Sequence, residues 1–384
     1  MQLFKYYMKN TITILAGIIC FTLFVPATDY AQKSKNKPVL IAYVGGFRGI
    51  ADIDSLNPKK LTHINYAFVD VKDNRAWLHN EATDTINFRN LTALRKQNKD
   101  LKILISMGGW SWSKNFSDAV LTDTSTHAFA YSCIDIVAKY DLDGVDIDWE
   151  YPGQIGDSNK FRPEDKFGYT RLFKDLRQGL DSLKKITRKN YLVTTAVGGD
   201  QSYIDNTEMD KVQQYCDFIN IMSYDYAGGR DTISSHHTNL YASSSDTSQG
   251  STEKSVKAFM AAGVPANKIV VGMGFYGKAW EMETSDNNGL YRRTKAGTRG
   301  GGFNYLKDSL ENKKGFTKYW DDVAKAPYLF NPGTKVFITY DDERSIKEKC
   351  AYIKKNKLAG AMFWEYGHDK KELLIDVINK EFNY

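Results

Sequence analysis

The sequence predicts an α/β fold: a closed parallel (β/α)8 barrel, the TIM barrel, with a small α+β insertion subdomain between strands seven and eight. Three observations predict it. Short β-branched or apolar runs alternate with longer helix-period segments eight times along the chain, the rhythm of repeated βαβ units. Most of those runs are nearly continuously apolar, as strands covered by helices on both faces are. Chemically versatile residues gather at the C-terminal ends of the runs, where such barrels carry their sites.

The strand-like runs are 39–43, 63–69, 102–107, 144–148, 191–196, 218–222, 269–274 and 360–364. Helical periodicity falls between or after them over 126–140, 167–183, 256–262, 345–355 and 371–380. One interval breaks the rhythm. The stretch from Gly274 to Gly360 is far longer than one helix and two loops need, and its part from Glu281 to about Tyr340 is rich in Gly, Asn and Tyr. A bare linker would not carry so many aromatics. Residues 281–340 are therefore expected to form the inserted subdomain, mostly β, over the barrel mouth, within a barrel domain spanning 32–384.

The N-terminus reads differently. Lys5 and Lys9 precede an uncharged run from Thr11 to Ala27, and Val25-Pro26-Ala27 offers small residues suited to cleavage, with Ala31 as a second candidate. That is the pattern of a secretory signal peptide over 1–31, with an uncleaved anchor as the alternative. A secreted or periplasmic location is the expectation.

In 384 residues, 42% hydrophobic and 26% charged, there is material for one large core. The net charge of +6 is spread along the chain rather than clustered, which argues against a nucleic-acid footprint. No membrane partner beyond the leader is indicated, and without a coiled-coil pattern the expectation is a monomer. Cys133, Cys216 and Cys350 are too few and too scattered for a disulfide framework, although one pair could bridge. With no CxxC or zinc-type cluster, neither metal nor cofactor is expected.

The most informative stretch is Asp143-Gly144-Val145-Asp146-Ile147-Asp148-Trp149-Glu150. Successive strand side chains alternate faces, so Asp146, Asp148 and Glu150 would point the same way, neighbours about 7 Å apart. Charges so placed disfavour one another, and at least one acid should keep its proton near neutral pH, as general acid catalysis requires. An acid–apolar alternation is ordinarily a solvated strand face. Here Asp143-Gly144 before it and Tyr151-Pro152-Gly153 after it make the strand short and end it at a loop. Around it, at the same end of the barrel, stand Tyr43, Phe68, Trp110, Met222, Tyr224, Asp225, Tyr276 and Trp364. One such aromatic would be core; several at one rim suit the apolar faces of sugar rings, with carboxylates and hydroxyls for their polar groups.

With these residues in view the chain resembles the family 18 glycoside hydrolases, bacterial-type chitinases in particular. Residues 143–150 match the family signature D-G-x-D-x-D-x-E, Ser106-Met107-Gly108-Gly109 its S-x-G-G, and Met222-Ser223-Tyr224-Asp225 its M-x-Y-D. Gly274-Phe275-Tyr276-Gly277, Tyr340-Asp341-Asp342 and Met362-Phe363-Trp364 match as well. The resemblance runs from Pro38 to about Lys380. It implies hydrolysis of β-1,4 links between N-acetylglucosamine units in chitin or chito-oligosaccharides. In that scheme Glu150 is general acid and then base, and the substrate's own acetamido oxygen attacks to give an oxazolinium intermediate with net retention. Asp148 would hold the acetamido N–H, Asp146 would share charge with Asp148, Tyr224 would donate to the acetamido oxygen, and Trp364 would floor the reacting sugar. Tyr43, Phe68, Trp110, Tyr151, Met222, Asp225 and Tyr276 resemble substrate-contact positions. Lys278 stands where many members carry Arg, a point charge in place of a planar fork. Within the resemblance, an endo-β-N-acetylglucosaminidase acting on N-glycans or cell-wall glycans is an alternative, as is a non-catalytic chitin-binding lectin, which this scaffold also supports.

Overall fold

In a computed structural model the described residues are 37–246 and 250–384. The signal-peptide reading of 1–31 lies outside them. Fourteen strands are present among the described residues: β1 Val39–Gly45, β2 His63–Lys72, β3 Arg75–Trp77, β4 Lys102–Gly108, β5 Gly144–Asp148, β6 Leu192–Gly198, β7 Phe218–Met222, β8 Ile269–Gly274, β9 Tyr276–Met282, β10 Thr294–Gly302, β11 Thr317–Asp321, β12 Ala326–Asn331, β13 Val336–Thr339 and β14 Gly360–Trp364. Eight pair in parallel in the order β1-β14-β8-β7-β6-β5-β4-β2, and β2 pairs back onto β1 to close the barrel. The predicted fold class is the observed one. The short β3 folds back on β2 as a hairpin that hydrophobic patterning did not announce.

The strand pleat explains the sequence. On β5 every residue is buried, yet Val145 and Ile147 pack into the layer between barrel and helices while Asp146 points inward to the side chains of other strands. Gly144 is required by proximity: a Cβ there would meet the Leu192 carbonyl oxygen at 2.1 Å. Asp143 closes the bottom of the barrel, accepting from the Ile103 amide at 2.8 Å and pairing with Arg95 and Lys189. Two helices begin earlier than apolar periodicity suggests, because their first turns are polar caps, while the last begins later, at Leu373. Thr122 and Ser125 form a capping box before Asp123–Lys139, and Asp342 and Ser345 another before Glu343–Lys355.

Between β8 and β14, strands β9 to β13 make an antiparallel sheet in the order β10-β9-β13-β12-β11. The sheet starts at Tyr276, directly after β8 and before the expected Glu281. It encloses its own core of Trp280, Met282, Leu290, Tyr328, Phe330 and Phe337. The three cysteines are free and buried, so no pair bridges. Among the described residues no helix is long and apolar enough to cross a membrane.

The return from the insertion to the barrel rests on a buried ion pair. Lys349 Nζ lies 2.6 Å from Asp341 Oδ2, both side chains 0% exposed, and also donates to Thr238 Oγ1 at 2.7 Å. Removing one member strands the other charge, a cost of about 3–5 kcal/mol. Lys349→Met should therefore lower the urea-unfolding free energy by about that amount, and Asp341→Leu in the same chain should restore most of it.

Candidate active site

The site is built on the inner face of β5, and register decides what each acid meets. Asp146 is flanked in register by Ser106 on β4 and Thr194 on β6. Both hydroxyls donate to it, at 2.7 and 2.5 Å, and Tyr43 from β1 and Asn220 from β7 complete the shell at 2.9 and 3.2 Å. Asp148, one step up the same face, is flanked by Gly108 and Ala196, which have no donor to offer. Its Oδ1 is buried without a hydrogen-bond partner. Buried polar atoms are rarely left so, and Asp148 is one of the residues that line the cleft.

Glu150 arrives by a different route from the one alternation predicts. The strand ends at Asp148. Trp149 then turns outward and stacks fully buried on Phe116, centroids 5.1 Å apart and planes 15° apart. That anchor, with the Glu150 amide donating to Ser113 Oγ at 2.9 Å, sets the Glu150 side chain half-buried at the cleft.

The electrostatics follow from burial. Desolvation raises the Asp148 carboxyl well above the usual range, and the neighbouring Glu150 and Asp146 charges push it the same way. Desolvation also lifts Glu150 to about 7, with Asp225 adding repulsion and a hydrogen bond from Tyr151 pulling back. Asp146 is likewise raised by burial, but its four donors oppose the shift. The two upper acids titrate as a pair rather than independently. Asp225 behaves oppositely. Burial would raise it, yet His237 and Lys278 outweigh burial and hold it well below the usual carboxylate range. Its Oδ1 lies 2.6 Å from the Tyr276 hydroxyl, 2.8 Å from Lys278 Nζ and 3.5 Å from His237 Nδ1.

The cleft, of about 1230 Å³, brings together Phe68, Trp110, Asp148, Glu150, Tyr151, Met222, Tyr224, Asp225, Tyr276 and Trp364. Trp110 is half exposed, standing 6.4 Å from Tyr151 in an edge-on arrangement. Among the described residues the Tyr224 hydroxyl donates to the Met362 thioether at 4.0 Å, a long and weak contact, and Tyr224 lines the cleft. One expected contact, Tyr43, lies elsewhere. Tyr43 is 1% exposed and spends its hydroxyl on Asp146, because β1 places it beneath the cleft floor; it positions a carboxylate and does not line the wall. Asp146, expected to share charge with Asp148 rather than to contact sugar, also lies below the cleft, its carboxylate oxygens taken by four donors. Sequence reasoning missed Phe47 and Trp112, which also line the cleft. For Phe47 the signal was present: an aromatic directly after Gly45, the last residue of β1, and Gly46. Among the described residues no cluster of His, Cys, Asp and Glu could hold a metal ion.

Comparison with known proteins agrees in family. Glycosyl hydrolases family 18 matches residues 30–369. Chitinase A1 of Niallia circulans is 38% identical over 96% of this chain, which spans 61% of that protein's length. Chitinase B of Serratia marcescens is 28% identical, covering 94% of this chain and 83% of its own. A solved family 18 N-acetylglucosaminidase from Paenibacillus barengoltzii superposes with a TM-score of 0.84 at 41% identity, over 90% of this chain and 99% of that one. With that breadth of match, the chain belongs to family 18 of the glycosyl hydrolases.

Proposed function

We propose that the protein is a chitinase, hydrolysing β-1,4 links between N-acetylglucosamine units by a substrate-assisted, retaining route. The observation that carries this reading is the unpartnered Asp148 Oδ1, buried beside Glu150 and below Tyr224 and Trp364 in an aromatic cleft. An acetamido N–H is the donor that this acceptor lacks. With its N–H held by Asp148 and its oxygen met by the Tyr224 hydroxyl, the acetamido group is turned toward the anomeric carbon.

Glu150, raised to about 7, keeps a proton to give to the glycosidic oxygen as the C1–O bond breaks. The acetamido oxygen closes on C1, and Glu150, now ionised, takes a proton from the water that reopens the ring. No second enzyme carboxylate attacks, so carboxylate spacing does not set the stereochemistry. Trp364 supports the reacting sugar and Trp110 a neighbouring one. Asp146, fixed by four donors, lies one step down the same face from Asp148, and its charge disfavours ionisation of that acid. Similarity to the two chitinases and to the N-acetylglucosaminidase supports the sugar class. Export through the N-terminal leader, and action as a monomer, complete the proposal.

Three outcomes test it. Glu150→Gln should cut turnover on chito-oligosaccharides by about 10²–10⁴-fold while chito-oligosaccharide binding, measured by calorimetry, survives; near-normal turnover would sink the assignment. The proton on Glu150 is present below about pH 7 and lost above it. The wild-type kcat profile should therefore fall on the alkaline side through about that pH, far above where an unperturbed Glu would switch off. Tyr43→Phe removes one donor from buried Asp146, so unfolding stability should drop by about 1–3 kcal/mol and kcat should fall with KM little changed. A rise confined to KM would instead return Tyr43 to the substrate wall.

A further inference from the structure

Where β1 ends, beside Trp364, the chain makes a tight turn from Gly46 to Gly49, closed by the Gly49 amide donating to the Gly46 carbonyl at 3.0 Å. Phe47 and Arg48 stand at its tip. Two glycines bring the backbone in close. A Cβ on Gly45 would meet Glu365 Oε2 at 2.6 Å, and one on Gly46 would meet the Tyr66 hydroxyl oxygen at 2.0 Å. The turn is tied from behind as well. Buried Asn87 donates to the Gly49 carbonyl at 2.9 Å and accepts from the Ala51 amide at 2.8 Å. On the other side, Arg48 pairs with buried Glu365 at 3.2 Å and lies over the Phe47 ring, 4.9 Å from its centroid.

Phe47, Phe68 and Trp364 have planes within 21° of one another and centroids 6.3, 6.1 and 5.4 Å apart. Three such distances describe a compact triangle. A row of rings leading outward would put its two ends roughly twice the neighbour spacing apart. The three rings therefore form one patch against the turn and not a row running past it. The cleft is also lined by Gly198 and Asp200 at the end of β6 and by Tyr226, Ser251 and Ala258 after β7, strands that lie across the barrel from β1. A sugar seated on Trp364 directs its leaving group toward Glu150, which makes the Phe47 side the glycon side.

Resting on the substrate reading above, we propose that the Phe47–Arg48 turn closes the glycon end of the cleft. One N-acetylglucosamine unit fits between it and Glu150, and the protein removes single units from non-reducing ends. The bond chemistry is unchanged: the glycosidic C1–O bond breaks, water supplies the hydroxyl of the released sugar, and the shortened chain takes the proton.

The test is the early product distribution from chitopentaose labelled at its reducing end, for wild type, Arg48→Ala and Phe47→Ala/Arg48→Ala. Wild type should first give unlabelled monomer with labelled tetramer. The double variant should shift the monomer-to-dimer ratio toward dimer by about tenfold, a discrimination that one bulky contact can carry. Arg48→Ala, whose side chain is largely exposed and whose loss does not threaten folding, should shift the ratio in the same direction by less. First release of unlabelled dimer or trimer by wild type, or unchanged ratios in both variants, would overturn the proposal while leaving the chitinase reading intact. Wild type that cleaves no chito-oligosaccharide at all would overturn both.

Discussion

The carboxylate of Asp146 holds the centre of this molecule together. It sits inside the barrel, away from water, and takes hydrogen bonds from Tyr43, Ser106, Thr194 and Asn220, each on a different strand. A buried charge is tolerated only when its acceptor sites are filled. Four strands must therefore keep one register, and the barrel's register fixes the cleft above. Gly144 below it serves the same end by letting β5 and β6 approach.

From that fixed point the chemistry rises in layers. Asp146 is saturated with donors, Asp148 has small neighbours and an unmet acceptor, and Glu150 looks out from the strand end. One sequence pattern thus gives three acids three environments, because environment and not residue type sets a carboxyl's proton affinity. Asp225 extends the contrast. Held low by His237 and Lys278, it keeps its charge close to a Glu150 that burial has made reluctant to ionise.

The insertion and the turn after β1 belong to the same cleft but obey different constraints. The insertion has its own aromatic core and is fastened where Asp341 meets Lys349, while Asp342 of the same short motif caps the following helix. The motif Tyr340-Asp341-Asp342 is thereby accounted for by folding. The turn at Phe47 is drawn inward by close glycine contacts and an ion pair, features that no periodicity in the sequence encodes.

The sequence by itself determined the eight-strand rhythm, the place of the insertion and the acids of the signature, because burial on both faces and strand alternation leave a direct imprint on residue order. Trp364, Tyr224 and Asp225 were legible for the same reason, each lying at the end of a strand that the pattern had already marked. The tertiary structure alone decided which acid is satisfied and which is not. That depends on what adjacent strands place in register, Ser106 and Thr194 beside Asp146 but Gly108 and Ala196 beside Asp148. It also moved Tyr43 from the cleft wall to a supporting place, and brought Phe47 to the end of the cleft beside Trp364. Contacts between residues hundreds of positions apart, such as Arg48 with Glu365, exist only once the barrel has closed.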